Sequence, residues 1–527
     1  MVRFLTLILA LVLVSNTRAE TPKLPVDGSE KEWPQAGGPN GSWSVDAADA
    51  PIKWSAARNE GIVWRTPLPE EGQSGIAVWG DRIFLTTLKP EGGKRPNGRD
   101  VVGYCLDARD GKILWTVPLP GSASSTPAYF FSDASSPSPL TDGKHVWFFN
   151  ACGSLGCFDY DGKQVWLREW KPTGGRPFNK QFEPMLIGDT VLNMEPRDET
   201  DPKREKDAWN YIRGIDKNSG KTQWISDDAM THYNTPVLGA MADGTPAVLQ
   251  GRGGYHGVPE TPIGLSLTSL APGHEGKTIW RFETPKGKAM YTQHFTTVVA
   301  PWIDIDTAEQ IVLDSTSGKE LRKQSLTAKV DWRRYDAAAG KYVLLADVDL
   351  AKQTPALKVY PAQFCNIIVG EWHWFLCYTE ATKKLGPPYC VGRVNIATGK
   401  VEYLELPVSV VREAGKADSF IWGKPQTSST VNSRGIDIVS DKRSQGDGWY
   451  WGFLGGPTAV GGNIYFTTML GITYAIDGRA AVLDEKALLS LNDLGVPGQT
   501  WSLNSISYSR GKLYHRSMKE VFCIGKQ

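Results

Sequence analysis

Eight polar residues stand where they could act together: Ser125, Glu183, His232, Asn234, Gln293, His294, Gln363 and Asn504. Each opens, or nearly opens, a short apolar run. If those runs surround one axis, the eight side chains meet as a rim of hydroxyl, amide, imidazole and carboxylate groups. Such a rim holds a polar ligand through donors and acceptors. It does not by itself supply a nucleophile. His232, His294 and Glu183 have the types of a divalent-metal set, but the expectation is no metal, with the polar groups otherwise satisfying backbone and channel water. Glu195, Asn210 and Asp216 are oxygen ligands by type only, and read as a solvated loop followed by a structural Asp. The chain lacks His-Glu-x-x-His, a phosphate loop and a Gly-x-Ser-x-Gly elbow. Gly251-Arg252-Gly253-Gly254 follows an apolar run but precedes no helix-forming segment, so it reads as a turn and not a dinucleotide loop.

What must position these residues is a recurring phrase. Leu106-Asp107-Ala108-Arg109-Asp110-Gly111-Lys112-Ile113-Leu114-Trp115 returns as Phe158-Asp159 to Gly162-Lys163-Gln164-Val165-Trp166, and again as Ile215-Asp216 to Gly220-Lys221-Thr222-Gln223-Trp224. Weaker copies end at Trp280, at Gly318-Lys319 and at Tyr403. Self-similarity at roughly 50 residues marks a repeat architecture. Between the phrases lie apolar pairs of runs joined by Gly-Asp, Asp-Gly or Gly-Gly, as in Ile76 to Trp79, Gly80-Asp81 and Ile83 to Thr87. Those are hairpins. Each unit is then a four-stranded antiparallel meander that cannot bury both faces alone, and a ring of such units solves the problem. The sequence therefore predicts an all-β fold, an eight-bladed β-propeller. Seven blades are the alternative if the weak unit around 296–323 is miscounted. Trp64-Arg65-Thr66-Pro67 has the ending of an outer strand with no inner strands before it, while the C-terminal unit stops short of such an ending. The N-terminal strand should close the last blade and leave no unpaired edge.

The remaining features bound the class. Lys and Arg number 58 against 57 Asp and Glu, which favours neither nucleic acid nor an anionic membrane as partner. Residues 1–19 read as a signal peptide: Arg3, the apolar stretch Phe4 to Val14, then Thr17-Arg18-Ala19. The apolar run of about 11 residues is short of the ~20 that span a bilayer, and no Cys follows it to carry a lipid anchor. The chain divides into that leader, an extension over 20–60 and a propeller over 61–527, with an insertion at about 407–450 rich in Gly, Ser and charge. A periplasmic or secreted monomer is expected. Seven Cys allow disulfides, with one thiol left over. Cys152 and Cys157 straddle a turn, and Cys365, Cys377 and Cys390 fall on neighbouring strands of one repeat; buried reduced thiols are the other reading.

At the Asp, Gly-Lys and Trp positions the chain resembles the pyrroloquinoline-quinone (PQQ)-like repeat proteins, the superfamily of quinoprotein alcohol dehydrogenases, over about residues 60–525. Trp33-Pro34-Gln35-Ala36-Gly37-Gly38-Pro39-Asn40-Gly41 is similar to an opening common in exported bacterial members, with Gly37 where that pattern has Arg. The resemblance implies that the Trp of each phrase docks on the next blade, a structural duty that needs no quinone. Members that oxidise alcohols carry a vicinal Cys-Cys pair and a calcium ion; this chain has no Cys-Cys. The expected role is a binding or scaffolding module that takes a small polar ligand or a partner protein at one propeller face, without a cofactor. The alternative is a PQQ- and calcium-dependent dehydrogenase of sugars or alcohols, and a glycan-acting propeller is a third reading.

Overall fold

The structure is a computed structural model that describes residues 31–89, 99–122, 134–171, 183–196, 210–230, 235–252, 263–284, 293–353, 358–380, 385–413, 415–423, 455–496 and 498–526. The expected leader at 1–19 lies outside them. Among the described residues the regular structure is strand, apart from two single 3-10 turns at Leu350–Lys352 and Glu485–Ala487. No helix among them is long and apolar enough to cross a membrane.

The first unit shows how the phrase folds. Ala77–Trp79, Arg82–Leu88, Val101–Asp107 and Ile113–Leu119 pair antiparallel in sequence order. Asp107 sets the last turn. Its carboxylate accepts from the Arg109 amide at 2.8 Å, and its carbonyl accepts from Gly111 at 2.8 Å. Gly111 sits at φ 75°, which side chains rarely adopt. That glycine has a second duty. A Cβ built on it would lie 2.5 Å from Trp64 Cε3, and one on Gly162, Gly220 or Gly318 would strike Trp115, Trp166 or Trp280 in the same way. Each indole N–H then donates into the neighbouring turn: Trp64 to Ala108 at 3.0 Å, Trp115 to Tyr160 at 2.9 Å, Trp166 to Lys217 at 3.1 Å and Trp280 to Ser315 at 2.7 Å. The repeated tryptophans are wedges between sheets. Burying a large aromatic side chain there contributes about 2–3 kcal/mol.

Further sheets follow in chain order and are numbered onward from this first unit. The second, third and fourth span 140–169, 185–230 and 237–283, the last two touching through the single pair Met230↔Arg252. The fifth has three strands, Val299–Asp304, Glu309–Asp314 and Glu320–Ser325. It is the unit expected to be weak. Gln293 to Phe295 stand before it without strand pairing, and Phe295 leans on Gly239, where an added Cβ would lie 2.5 Å from the ring. The sixth unit, 358–406, carries an additional hairpin, Val330–Asp336 and Lys341–Val348, whose first strand runs parallel to Val401–Leu406. The seventh spans 458–493. In the eighth, Ser507–Ser509, Lys512–Arg516 and Glu520–Ile524 are completed by Ile62–Pro67, with Ile62 opposite Ile524 and Pro67 opposite Glu520. The N-terminal strand thus closes the last sheet as the sequence predicts. Of the insertion at 407–450, the described part holds a hairpin, Ser409–Val411 with Ser419–Ile421, and 424–450 lies outside.

All seven Cys are buried free thiols. Cys152 packs with Phe84 and Phe148 between the first two units, whereas Cys157 packs with Leu186 and Ile215 between the second and third. Opposite faces of one sheet keep these two apart, so the turn they straddle carries no bridge.

Candidate functional site

The centre of the ring is organised by a segment that precedes every repeat. Trp33, fully buried, exchanges two backbone hydrogen bonds with Val78 on the first inner strand, at 3.0 and 2.7 Å. Thr141 on the second donates to the Pro34 carbonyl at 2.9 Å, and Leu186 on the third donates to Gln35 Oε1 at 2.8 Å. Gly41 lies so close to Leu238 on the fourth that a Cβ would sit 2.6 Å from Leu238 Cδ1. Trp43 meets His294 edge-on at 6.1 Å, just before the fifth unit. The Ala459 amide of the seventh inner strand donates to the Trp43 carbonyl at 2.8 Å, and Ser44–Val45 continue as a parallel strand beside Ala459 and Val460. One short stretch thus crosses the inner strands of five units. Its chemistry suits the path: Gly38 and Gly41 take φ values of 70° and 64°, and the Trp33 indole donates to the Ala36 carbonyl at 3.1 Å. The sequence had offered this stretch as a family opening and nothing more. Its clue was the dense Trp, Gly and Pro content before any repeat.

The residues singled out from the sequence distribute around this crossing. Gln293 and His294 are both buried beside Trp43. Burial pushes the His294 imidazole down to about 4, against a smaller opposing effect from its hydrogen bond with the Asn366 backbone. Glu183 Oε2 accepts from the Ser138 amide at 2.7 Å and so ties the approach to the third inner strand to that of the second. Ser135 Oγ and Ser138 Oγ accept from the Gln73 and Gly75 amides at 3.1 and 2.8 Å, tying the second to the first. Asn504 is buried and directs its amide to the Arg516 carbonyl at 3.4 Å, within its own unit. Gln363 lies in strand Lys358–Val369, its side chain outside the described set; Ser125, His232 and Asn234 also lie outside it.

One buried group went unread in the sequence. His373, fully buried, accepts at Nδ1 from Gln310 Nε2 and donates through Nε2 to Asn366 Oδ1, each at 3.1 Å. Burial, then the nearby His294, pushes it down to about 3. Gln310 Oε1 accepts in turn from Arg322 at 3.1 Å. Around the crossing segment, the buried atoms Gln35 Nε2, Ser42 Oγ, Trp43 Nε1 and Gln293 Oε1 have no hydrogen-bond partner among the described residues.

The calcium candidates do not converge. Glu195 is buried between Arg168, at 2.7 Å, and Arg213, at 3.1 Å. Asn210 pairs across from Pro196, whereas Asp216 pairs with Thr190 at the far end of the same strand, its carboxylate taken up by the Asn218 and Ser219 amides. Two guanidiniums on one carboxylate leave these residues unfit for calcium. No group of three or more His, Cys, Asp or Glu among the described residues forms a metal-holding cluster.

With the ring and its crossing segment in place, comparison with known proteins becomes informative. A family model described as outer membrane protein assembly factor BamB matches residues 48–253. Among solved structures, a quinohemoprotein alcohol dehydrogenase from Comamonas testosteroni aligns at 12% identity and TM-score 0.50, over 95% of this chain and 82% of that one. A europium-containing methanol dehydrogenase aligns at 12% and 0.50, over 95% and 99%. Quinohemoprotein alcohol dehydrogenase ADHIIG from Pseudomonas putida HK5 aligns at 11% and 0.51, over 94% and 80%. These likenesses are of fold. No curated protein matches the chain. The fold is that of a β-propeller, and residues 48–253 match a PQQ-like repeat family model.

Proposed function

We propose that this propeller is an exported, monomeric binding module whose axis is a closed-bottomed cup. The observation that carries the reading is the crossing segment, 33–45, which meets the inner strands of five units on the turn side of their openings. A ring blocked there is not a conduit, and its open end is rimmed by the residues that precede each inner strand. Glu183, Gln293, His294 and Asn504 are the described candidates for holding a small polar ligand or a partner protein; Ser125, His232, Asn234 and the Gln363 side chain lie outside the described residues. The floor is neutral. Burial holds His294 and His373 unprotonated near pH 7, and the unpartnered atoms of Gln35, Ser42, Trp43 and Gln293 offer three donors and an acceptor. Hydroxyl- and amide-rich ligands suit that set better than ions.

The test sets this reading against the dehydrogenase alternative. Purified full-length protein is incubated with PQQ and calcium, desalted, and assayed for dye reduction over a panel of alcohols and aldoses. The expected result is no quinone absorbance after desalting and no dye reduction. Calorimetric titration of the same panel should give binding that Trp43→Ala lowers at least tenfold. Retained quinone with substrate-dependent dye reduction overturns the proposal. Should no small molecule bind, cross-linking in the exported compartment should recover one defined protein at the same face, and recovering none also overturns it.

A further inference from the structure

We infer that Cys377 and Cys390, free thiols in the structure, form a cross-strand disulfide when the chain folds under oxidising conditions, the one bridge this chain is built to make. The two residues stand directly opposite each other on antiparallel strands of the sixth unit, Trp372–Glu380 and Leu385–Asn395. Directly opposed residues on antiparallel strands have Cα atoms about 4.5 or 5.5 Å apart, according to the type of pair, and both separations fall within the roughly 4.4–6.8 Å that a disulfide spans. No adjustment of register is needed. Both side chains are 1% exposed and share one cluster with Trp332 and Tyr403.

The other five Cys are arranged differently. Cys105 lies opposite Phe84 and Trp115, Cys157 opposite Trp147 and Trp166, and Cys523 opposite Trp64 and Tyr514. Cys365 packs in the cluster of Ile367, Leu376 and Tyr389, on the other face of the sheet from the pair. Among the described residues, only Cys377 and Cys390 are set opposite each other across two strands.

Burial decides when the bond forms. In the folded protein, desolvation and the neighbouring Cys377 thiol raise Cys390 far above an ordinary thiol, so little thiolate exists there and no oxidant reaches it. Oxidation therefore belongs to the stage at which the two strands have paired but the cluster around them has not closed. The oxidant is a small or protein disulfide. One Cys thiolate attacks it and releases one donor thiol; the second Cys sulfur then attacks the mixed disulfide and releases the other. Two electrons pass to the donor, and the two protons end on its thiols. Once the cluster closes, the same burial protects the bond from reduction, and the bridge fixes the strands on either side of residues 381–384.

The experiment uses the full chain. Protein unfolded in denaturant with a reductant is desalted and refolded in glutathione buffers of graded oxidised-to-reduced ratio, quenched in acid, unfolded again and alkylated. Mass spectrometry should count seven alkylated thiols in reduced glutathione alone and five in oxidising buffers, with one tryptic cross-link joining the Cys377 and Cys390 peptides. Cys365→Ser should keep that cross-link while lowering each count by one. Adding reductant to the folded, oxidised protein should leave the count at five, and adding it with denaturant should restore seven. Seven alkylated thiols at every ratio, or a cross-link between any other two Cys, overturns the inference.

Discussion

One side of the ring is joined by indoles and the other by polar groups, and the difference shows what the repeated phrase is for. From the eighth unit round to the fifth, Trp64, Trp115, Trp166, Trp224 and Trp280 each lie on the turn glycine of the next sheet, at Gly111, Gly162, Gly220, Gly276 and Gly318. At the following joint the phrase reads Gly318-Lys319-Glu320-Leu321-Arg322, so an arginine stands in the place of the tryptophan. Arg322 keeps the geometry without the apolar packing. It lies against Gly399 and donates to the Asn395 carbonyl at 3.3 Å, the counterpart of the indole bonds. Its other bond goes to Gln310, and Nε and Nη1 find no partner. The next joint adds a buried ion pair to an apolar cluster that includes Leu376, Leu404, Phe466 and Tyr474: Arg393, fully buried, pairs with Glu402 at 2.5 Å, lies over the Trp372 ring at 3.8 Å and donates to the Ala480 carbonyl across the gap. His294, which meets Trp43, and His373 lie at the arginine side. The indole half is built for cohesion. The polar half is where the ring holds neutral hydrogen-bonding groups.

The largest effect should come from breaking an indole joint. Trp280 is 7% exposed and bonded to Ser315, and Trp280→Ala removes both ring and bond. Loss of a buried tryptophan costs about 3–5 kcal/mol. Urea unfolding at pH 7 should show a lowered midpoint with a similar slope. An unchanged midpoint would remove the wedge from this account.

That asymmetry also explains what the sequence disclosed. The Asp, Gly-Lys and Trp phrase is local, since Asp107 and Gly111 make their turn within a few residues, and its recurrence was enough to give sheet, ring and closure. The crossing segment was not legible as such. Its partners, Val78, Leu186 and Ala459, lie far apart in the chain and share no pattern, so only the closed ring brings them to one place. Gly318-Lys319 was visible as a weak copy, but a missing Trp says nothing about what replaces it. His373 was hidden because its partners Gln310 and Asn366 come from two different sheets. Cys377 and Cys390 could be placed on neighbouring strands, but their register depends on the irregularity between Tyr378 and Thr379. The sequence offered Gln293 and His294 as openings of an inner strand, yet it had no means of knowing that Trp43 would lie against His294.

A middle-sized effect separates the two halves by pH. His294 and His373 titrate at about 4 and 3 in the fold, below the roughly 6.5 of an unfolded imidazole. As pH falls below 6.5 the unfolded chain takes up protons that the folded chain refuses. Stability should therefore drop by up to about 1.4 kcal/mol per pH unit for each imidazole, until pH nears 4. His373→Gln should remove part of that slope. Asp228, in the indole half, acts in the same sense but over a lower pH range. Burial raises its carboxyl, but hydrogen bonds from Arg281, Ser266, Arg252 and Thr278 outweigh that and hold it at about 2. Its contribution is complete above about pH 4 and is lost only as pH approaches 2. Urea midpoints between pH 7 and 4.5 should fall in wild type, fall less in His373→Gln, and fall as in wild type in Asp228→Asn, which starts lower. A flat profile for wild type would contradict the neutral histidines.

The smallest effect is the most discriminating, because it trades one kind of joint for the other. In Arg322→Trp the indole regains the ring contact with Gly399 and the bond to the Asn395 carbonyl, which favours the variant. It also strands Gln310 Oε1, which now accepts from Arg322 at 3.1 Å, and an unmade buried bond costs about 1–3 kcal/mol. The guanidinium it replaces is itself desolvated and pairs with no carboxylate among the described residues, so little is lost with its charge. These terms nearly cancel, and the urea midpoint should move by less than about 1 kcal/mol in either direction. The reverse swap, Trp280→Arg, puts an unpaired charge against the fifth sheet and should cost several times more. Equal losses for the two swaps would mean that the fifth joint is specified as tightly as the indole joints. Unequal losses in the order given would mean that the arginine is kept for the polar network it anchors, and not for cohesion.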